Sequence, residues 1–348
     1  MSRLRLLPEY APQAGVIITW PHPGTDWRHD LEAIEAVYLN IARAVSRFER
    51  LLVLCRDTGH QRHIHTLLER AALPTAAVSF AVVPTNDTWV RDYGPLTILQ
   101  DDRPVLHDFT FDGWGCKYPA ELDNAVSLKL FTAGVFGAVD FLRHVLVLEG
   151  GSIDTDGAGT LLTTARCLLQ SGRNPGFDRD ALERQFRELA GIERVLWLEH
   201  GELSGDDTDG HIDMFARFCN PETIAYLQCS DPADSQYAEL LAMQEELRGF
   251  RTLAGEPYTL VPLPLPQPVF NAAGERLPAS YANFLIINGA VLVPVYDDPA
   301  DAVALAALAP CFPGRELVAV NCRVLIQQYG SLHCATMQLP CGVLAGSA

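Results

Sequence analysis

A cysteine and a histidine of this sequence stand in short polar segments. Cys334 follows Gly330-Ser331-Leu332-His333, and His211 lies in the segment Gly-Asp-Asp-Thr-Asp-Gly-His-Ile-Asp at 205–213. A thiolate is a strong nucleophile and an imidazole moves protons near neutral pH, so this pair could perform nucleophilic catalysis. A lone cysteine is more often inert packing, and Cys116, in a loop rich in Gly and Trp, is the rival nucleophile.

Carboxylates occupy similar polar segments elsewhere in the chain. Asp92 lies in Asn-Asp-Thr-Trp-Val-Arg-Asp-Tyr-Gly-Pro (86–95), and Glu149 lies in Glu-Gly-Gly-Ser, directly after an apolar run. Each could instead be a turn residue, because Asp before Gly-Pro and Glu before Gly-Gly both suit turns. Polar groups beside glycines at strand ends are also the usual way in which an α/β scaffold presents a site.

The polar segment 205–213 has three possible functional interpretations. Its four aspartates resemble a calcium loop, although the terminal bidentate Glu and the flanking helices are missing. His211 and Asp213 could form a His-x-Asp metal pair, but no second histidine or cysteine cluster is close. Alternatively, His211 is a general acid/base, and Asp213, pointing the same way along a strand, contacts a substrate cation.

Strand-like and helix-like patterns alternate along the sequence, which predicts an α/β fold. We read no linker, and therefore expect one catalytic domain over 1–348. The Pro-rich segment 260–268 is predicted to be an edge strand or a loop, because proline cannot complete a central strand. The predicted strands are 15–20, 51–55, 78–83, 145–148, 195–198, 284–287, 291–295 and the strand-like run 324–328; the predicted helices are 30–49, 124–136, 178–189, 231–247 and 299–308.

The charge balance excludes some classes of partner. With 26 Lys and Arg against 43 Asp and Glu, the formal net charge of −17 repels nucleic-acid backbones and suits a cationic ligand. We find no apolar run long enough to span a membrane and no signal-peptide core, so we expect a cytoplasmic protein. Nine cysteines without a CxxC pair argue against a disulfide framework or a zinc ribbon.

Five ordered motifs together resemble the agmatine deiminase and bacterial-type peptidylarginine deiminase family. They are Trp-x-Arg-Asp-x-Gly-Pro, Gly-Trp-Gly, Glu-Gly-Gly-Ser, Asp-Thr-x-Gly-His-x-Asp and a His-Cys near the C-terminus, and they cover nearly the whole chain. Any one of these motifs would be a weak signal, whereas their order makes the resemblance specific.

The resemblance implies the guanidino-group modifying fold, a pentein-type α/β propeller. Five ββαβ-like modules with pseudo-fivefold symmetry would surround a central active-site channel. The spacing agrees with this, because residues separated by about one fifth of the chain would each come from a successive module; they are Asp92, Glu149, His211, Asn283 and Cys334.

Carried over residue by residue, the resemblance makes Cys334 the nucleophile and His211 the general acid/base. Glu149 would orient His211, and Asp92 with Asp213 would clamp a planar guanidinium through paired hydrogen bonds. The implied reaction passes through a covalent thiouronium intermediate and needs neither a metal nor an organic cofactor. The other polar or small residues of the motifs are assigned to substrate binding: Trp89, Arg91, Trp114, Gly150, Asp206, Asp207 and His333.

Agmatine is the expected substrate, with N-carbamoylputrescine as its product. The chain departs from the usual agmatine deiminase pattern at Ala11-Pro12-Gln13, at Asp209 and at the segment 329–332, so free arginine and peptidyl-arginine stay open as substrates. A cysteine amidase or peptidase would not need two converging aspartates, and a noncatalytic cation-binding protein would not need Cys334. No nucleic-acid or membrane partner is expected, and homo-oligomeric assembly is left open.

Overall fold

Strands in five separate sheets alternate with helices along residues 3–346, the part of the chain that this computed structural model describes. The α/β class predicted from the sequence is therefore confirmed. The strands are β1 Leu4–Leu6, β2 Gln13–Thr19, β3 Arg50–Cys55, β4 Val78–Val82, β5 Leu96–Gln100, β6 Arg103–Thr110, β7 Asp140–Val147, β8 Ile153–Thr155, β9 Thr160–Thr164, β10 Arg194–Leu198, β11 Ala216–Asn220, β12 Thr223–Gln228, β13 Thr259–Pro264, β14 Leu285–Ile287, β15 Ala290–Val295, β16 Glu316–Asn321 and β17 Thr336–Pro340.

The longer helices connect strands, and single helical turns lie next to the polar motifs. The helices are α1 Leu31–Val45, α2 Thr58–Arg70, α3 Val90–Tyr93, α4 Gly113–Cys116, α5 Val126–Thr132, α6 Ala165–Leu168, α7 Arg179–Ala190, α8 Tyr237–Gly249 and α9 Asp301–Leu308. Side-chain caps begin two of the long ones, because Asp57 accepts from His60 N and Asp178 accepts from Ala181 N. Gly191 ends α7 in the left-handed conformation that favours glycine.

All five sheets repeat one strand pattern. An antiparallel pair is followed by a strand parallel to the second member of that pair, as in β8-β9-β10, β11-β12-β13 and β14-β15-β16. The other two sheets follow the pattern with one added strand each, in the orders β1-β5-β6-β7 and β17-β2-β3-β4. The sheet β17-β2-β3-β4 joins the two ends of the described chain.

Most predicted elements are present with shifted ends, and the Pro-rich segment is confirmed as an edge, since β13 is the outer strand of its sheet. Two predictions are wrong. The run 324–328 forms a 3-10 turn, Leu325–Gln328, rather than a strand. His211 and Asp213 lie at a 3-10 turn, Ile212–Met214, so a turn and not a strand period brings their side chains together.

Strands β2, β3, β14 and β15 are almost entirely buried and supply much of the main hydrophobic core. Their continuous apolar runs are typical of strands covered on both faces. A smaller apolar cluster lies around β1, β9 and α7. None of the helices within residues 3–346 has the length and apolar character required to cross a membrane.

Candidate active site

Five residues from the polar motifs each precede the antiparallel pair of a different sheet. Asp92 comes before β5, Glu149 before β8, His211 before β11, Asn283 before β14 and Cys334 before β17. Each of these residues lies just before the first strand of the same repeated pattern. The fold can therefore bring together side chains that are far apart in sequence. The spacing seen in the sequence thus corresponds to one residue per sheet.

Cys334 is 5% exposed and lines a cavity of about 110 Å³. Its Sγ is 3.7 Å from Asp213 Oδ2 and 3.3 Å from Asn283 Nδ2. Burial, together with the nearby charges of Asp213 and Asp92, raises the pKa of this thiol well above its usual range. The thiol is therefore protonated at neutral pH before a cation enters the site.

His211 is fully buried, and burial lowers its pKa to about 3, so its imidazole is neutral. Its Nδ1 lies 3.5 Å from Asp92 Oδ1 and its Nε2 lies 4.0 Å from Glu149 Oε2. Neither ring nitrogen has a hydrogen-bond partner within the described residues. A neutral imidazole with a free nitrogen is suited to accept a proton from the thiol.

Asp92 is held by two donors. Its Oδ1 accepts from Gly151 N at 2.9 Å, and its Oδ2 accepts from Trp114 Nε1 at 3.0 Å. Burial and the carboxylates of Asp213 and Glu149 raise the pKa of Asp92 well above its usual range. A Cβ at Gly151 would lie 2.6 Å from His211 Nδ1 and 2.8 Å from Asp92 Oδ1, so this close approach requires glycine.

His333 connects Asp213 to the buried carboxylate of Glu9. The imidazole of His333 bonds Asp213 Oδ2 through Nδ1 at 2.8 Å and Glu9 Oε2 through Nε2 at 2.6 Å. Burial alone would raise the pKa of Asp213, but the hydrogen bond and charge of His333, with His211 and Arg217, bring it below its usual value. Asp213 is therefore ionised, and its Oδ1 has no partner among the described residues.

Glu149 forms a buried ion pair with Arg173, whose Nε lies 2.7 Å from Glu149 Oε1. Arg173 also bonds Asp209 Oδ2 at 2.8 Å and the carbonyl of Thr208 at 2.8 Å, which holds the 205–213 loop against the site. Burial still raises the pKa of Glu149 despite this arginine. Its second oxygen, Oε2, has no partner within the described residues.

The entrance of the cavity is acidic and aromatic. Trp89 and Trp114 form part of the wall, and so does Asp207, whose Oδ2 accepts from Tyr118 OH at 2.5 Å. The full lining is Asp26, Asp87, Trp89, Asp92, Trp114, Tyr118, Asp207, Thr208, Gln328, Tyr329, Gly330 and Cys334.

Four residues assigned to substrate binding lie elsewhere. Arg91, Gly150 and His333 line a second, smaller cavity of about 40 Å³ with Glu9. Asp206 bonds Gly210 N and the Thr208 hydroxyl, and so shapes its own loop. These four residues do not line the cavity that includes Cys334, and their assignment to substrate binding stays a prediction.

Sequence reasoning missed Glu9, Arg173 and Arg217. All three are buried charges, and each contacts a carboxylate or imidazole of the site from another part of the chain. Their neighbours in sequence give no signal of this. Cys116, the rival nucleophile, is exposed and lies outside the cavity lining.

Comparisons with known proteins agree with this geometry. Residues 5–340 match the family model of the Porphyromonas-type peptidyl-arginine deiminases. The agmatine deiminase of Pseudomonas putida KT2440 is 33% identical over 96% of this chain and 95% of that protein. A crystal structure from Porphyromonas gingivalis, provisionally assigned as an arginine deiminase, is 47% identical with a TM-score of 0.92 and covers 98% of this chain and 100% of its own. The substrate-bound agmatine deiminase of C. jejuni is 36% identical with a TM-score of 0.90, covering 97% and 96%.

Proposed function

Because this chain belongs to the Porphyromonas-type peptidyl-arginine deiminase family, we propose that it is a hydrolase that deiminates agmatine to N-carbamoylputrescine and ammonia. The observation that carries the proposal is a set of buried polar atoms without partners in the described residues. They are Asp213 Oδ1, Glu149 Oε2 and both ring nitrogens of His211; all three residues are fully buried, and the other oxygen of Asp213 lies 3.7 Å from Cys334 Sγ. Buried polar atoms are almost always paired, so these atoms indicate a polar ligand.

A guanidinium fits this set. It offers five planar donors and one positive charge, and Asp92 and Asp213 can each accept a pair of its N–H groups. The cation also compensates for the carboxylates that keep the thiol of Cys334 protonated. Substrate binding therefore favours ionisation of the nucleophile that will attack it.

The proposed reaction proceeds in two steps around one histidine. In the first, His211 takes the thiol proton as Cys334 Sγ bonds to the guanidinium carbon, and it then gives that proton to the departing nitrogen, which leaves as ammonia. In the second, His211 deprotonates a water that attacks the thiouronium carbon. The carbon–sulfur bond breaks, the thiol regains its proton, and a ureido product leaves. Glu149 stabilises the imidazolium formed in each step.

The lining of the cavity favours agmatine over free arginine. Four aspartates lie on it, and among the described residues that line it there is neither lysine nor arginine. The distal ammonium of agmatine suits this wall, whereas the α-carboxylate of free arginine would lack a cationic partner. Asp26 and Asp87 are lining aspartates that the proposed reaction does not use, and they are proposed as the ammonium subsite.

The proposal also includes the modular organisation of the fold. The repeated strand pattern of five sheets supports five modules with pseudo-fivefold symmetry around a central channel, within one domain over 1–348. A cytoplasmic location stays a prediction from the sequence, which does not determine the oligomeric state.

The direct test is product formation by purified variants. Cys334→Ala should abolish release of both ammonia and the ureido product from agmatine, because no other group can form the covalent intermediate. Cys116→Ala is the matched control and should keep most activity, since that thiol is exposed and outside the cavity. Equal losses in both variants would reject the assignment, and faster turnover of arginine or peptidyl-arginine in a substrate panel would reject agmatine.

A further inference from the structure

A second cysteine, Cys167, lies close to His211. Cys167, in the helical turn α6, is fully buried and takes no part in the proposed reaction. Ligand atoms of Cys167, His211 and Glu149 all lie within 4.8 Å of one another. Within the described residues these three are the one group of His, Cys and carboxylate side chains whose donor atoms converge in this way.

Two of these three side chains have buried atoms without partners. Glu149 Oε2 and His211 Nε2 are 4.0 Å apart, and neither makes a hydrogen bond within residues 3–346. In a tetrahedral zinc site with bonds of about 2.0–2.3 Å, ligand atoms lie about 3.5 Å apart. Side-chain rotations that shorten the distances between the three donor atoms by about 1 Å would let them coordinate one ion.

We propose that Cys167, His211 and Glu149 form an inhibitory site for a thiophilic divalent cation such as Zn²⁺. A thiolate, an imidazole and a carboxylate are a donor set that zinc and cadmium accept, whereas Mg²⁺ and Ca²⁺ prefer oxygen ligands alone. The thiol proton of Cys167 leaves to solvent as the metal–sulfur bond forms, and no electron is transferred.

The surrounding charges allow a divalent ion at this position. Arg173 and Lys117 are the nearby cations. Arg173 bonds Asp209 as well as Glu149 Oε1, which leaves Glu149 Oε2 free, and Lys117 pairs with Asp207 and Asp209. The thiolate and Glu149 then balance the two charges of the ion, while Asp207 and Asp209 balance Lys117 and Arg173. An ion can enter through the cavity that Cys334 lines, because Asp92 on its wall is 3.5 Å from His211.

The consequence for activity rests on the proposed function. A bound ion would occupy the imidazole nitrogen and the carboxylate that the deimination reaction needs, so it would stop turnover without contacting the nucleophile. The ion is therefore an inhibitor at this position and not a cofactor.

The test measures binding directly and needs no turnover. Cd²⁺ is titrated into a variant that lacks the nucleophile and both exposed thiols (Cys334→Ala, Cys116→Ser, Cys341→Ser), and the ultraviolet charge-transfer band of a cadmium–thiolate bond is followed. One equivalent should bind with this band, Zn²⁺ should displace it, and Mg²⁺ should not. Adding Cys167→Ser should remove the band and weaken binding at least about tenfold. Adding Cys229→Ser, at a buried cysteine away from the site, should change neither.

Several outcomes would overturn the proposal. They are the absence of the band in the parent variant, its persistence after Cys167→Ser, and its loss after Cys229→Ser. If the Cys167→Ser protein does not fold, His211→Asn in the same parent replaces it, and an unchanged cadmium affinity then rejects the site. Because the parent variant is catalytically inactive by design, failure of the agmatine assay leaves this result unaffected.

Discussion

The two carboxylates proposed to clamp the guanidinium, Asp92 and Asp213, differ in charge before substrate binds. Asp213 is ionised because His333 and Arg217 stabilise its charge, whereas the pKa of Asp92 is raised by burial and by the two neighbouring carboxylates. Four acidic groups lie in this small buried volume: Cys334, Asp92, Asp213 and Glu149. They could not all be ionised without a bound cationic ligand. We therefore expect the free site to hold protons on Cys334 and Asp92, and to release them as the guanidinium binds.

Alkylation of the free enzyme tests the state of the nucleophile. Since burial, Asp213 and Asp92 raise the pKa of Cys334 above its ordinary 9.0, the rate of inactivation by iodoacetamide should still be rising with pH above 9.0. Inactivation is read as loss of ammonia release, and the Cys116→Ser variant, which lacks an exposed thiol, should give the same profile. A plateau reached by about pH 8 would mean that a thiolate already exists in the free enzyme.

The distal subsite makes a separate prediction about Asp87. Burial raises the pKa of this half-buried carboxyl to about 6, with a contribution from nearby Asp26, so the charge that attracts an ammonium develops as pH rises through 6. Asp87→Asn should raise the KM for agmatine by about tenfold, with kcat changed less. Butylguanidine, which lacks the ammonium, is the control substrate, and its KM should be nearly equal in both proteins. Equal effects on the two substrates would assign Asp87 a structural role instead.

The loop 111–119 shows how an element outside the catalytic residues positions them. Trp114 has a left-handed backbone (φ 59°), between Gly113 (φ 76°) and Gly115 (φ 81°), and this conformation aims the indole N–H at Asp92. A non-glycine residue in this region costs about 1 kcal/mol, which the rest of the loop must offset. A Cβ at Gly113 would lie 2.2 Å from the carbonyl of Tyr118, so the turn depends on this glycine.

Removing the indole donor should weaken substrate binding. Trp114→Phe keeps an aromatic wall but leaves Asp92 Oδ2 without its 3.0 Å hydrogen bond, which raises the cost of ionising that carboxylate. A charge-assisted bond of about 1.5–3 kcal/mol predicts a fall in kcat/KM of about tenfold to hundredfold. Trp197→Phe removes an indole bond to Glu183 far from the cavity and should leave kcat/KM near that of the wild type. A similar loss in both variants would contradict the role of Trp114.

Elements could be predicted from the sequence where hydrophobic period and turn residues agree. The helix 178–189 has a capping Asp and a terminal glycine, and the structure places it at Arg179–Ala190. The prediction of a strand at 324–328 is wrong, because the pattern of five residues is too short to distinguish a strand from a turn of helix. The helix expected from Asp231 begins instead at Tyr237, because the aspartates and serine of 231–235 form turns.

At the scale of the whole molecule, a group of buried charges joins the two ends of the chain. Glu9 contacts Arg217 at 3.0 Å, His333 at 2.6 Å and Arg91 at 3.4 Å, and it accepts from Ile286 N at 2.7 Å. The residues proposed to contact substrate could be predicted from the sequence, since their segments are locally unusual. Glu9 could not be predicted in this way, because its partners come from four distant parts of the sequence.

The charge of Glu9 makes a prediction about global stability. Arg91 and Arg217 both lie at the Glu9 carboxylate. Arg217 has a second partner in Asp154, whereas Glu9→Gln would leave the buried Arg91 without a carboxylate partner among the described residues. Breaking a buried ion pair from one side costs about 3–5 kcal/mol, and urea unfolding at pH 7 should show a loss of this order. Glu316→Gln removes half of an exposed ion pair with Arg47 and should have little effect.

The pH dependence distinguishes this charge effect from a loss of packing. Although burial alone would raise the pKa of Glu9, Arg217, His333 and Arg91 hold it well below its ordinary 4.5 in the folded protein. The stabilisation that Glu9 supplies is therefore complete above pH 4.5 and is lost as pH falls from there through the folded pKa. The difference in unfolding free energy between wild type and Glu9→Gln should be constant from pH 5 to 8 and should shrink below pH 4.5, by up to about 1.4 kcal/mol per pH unit. A difference that stays the same down to pH 3 would mean that Glu9 acts through shape and hydrogen bonding, and that its charge does not stabilise the contact between the two ends of the chain.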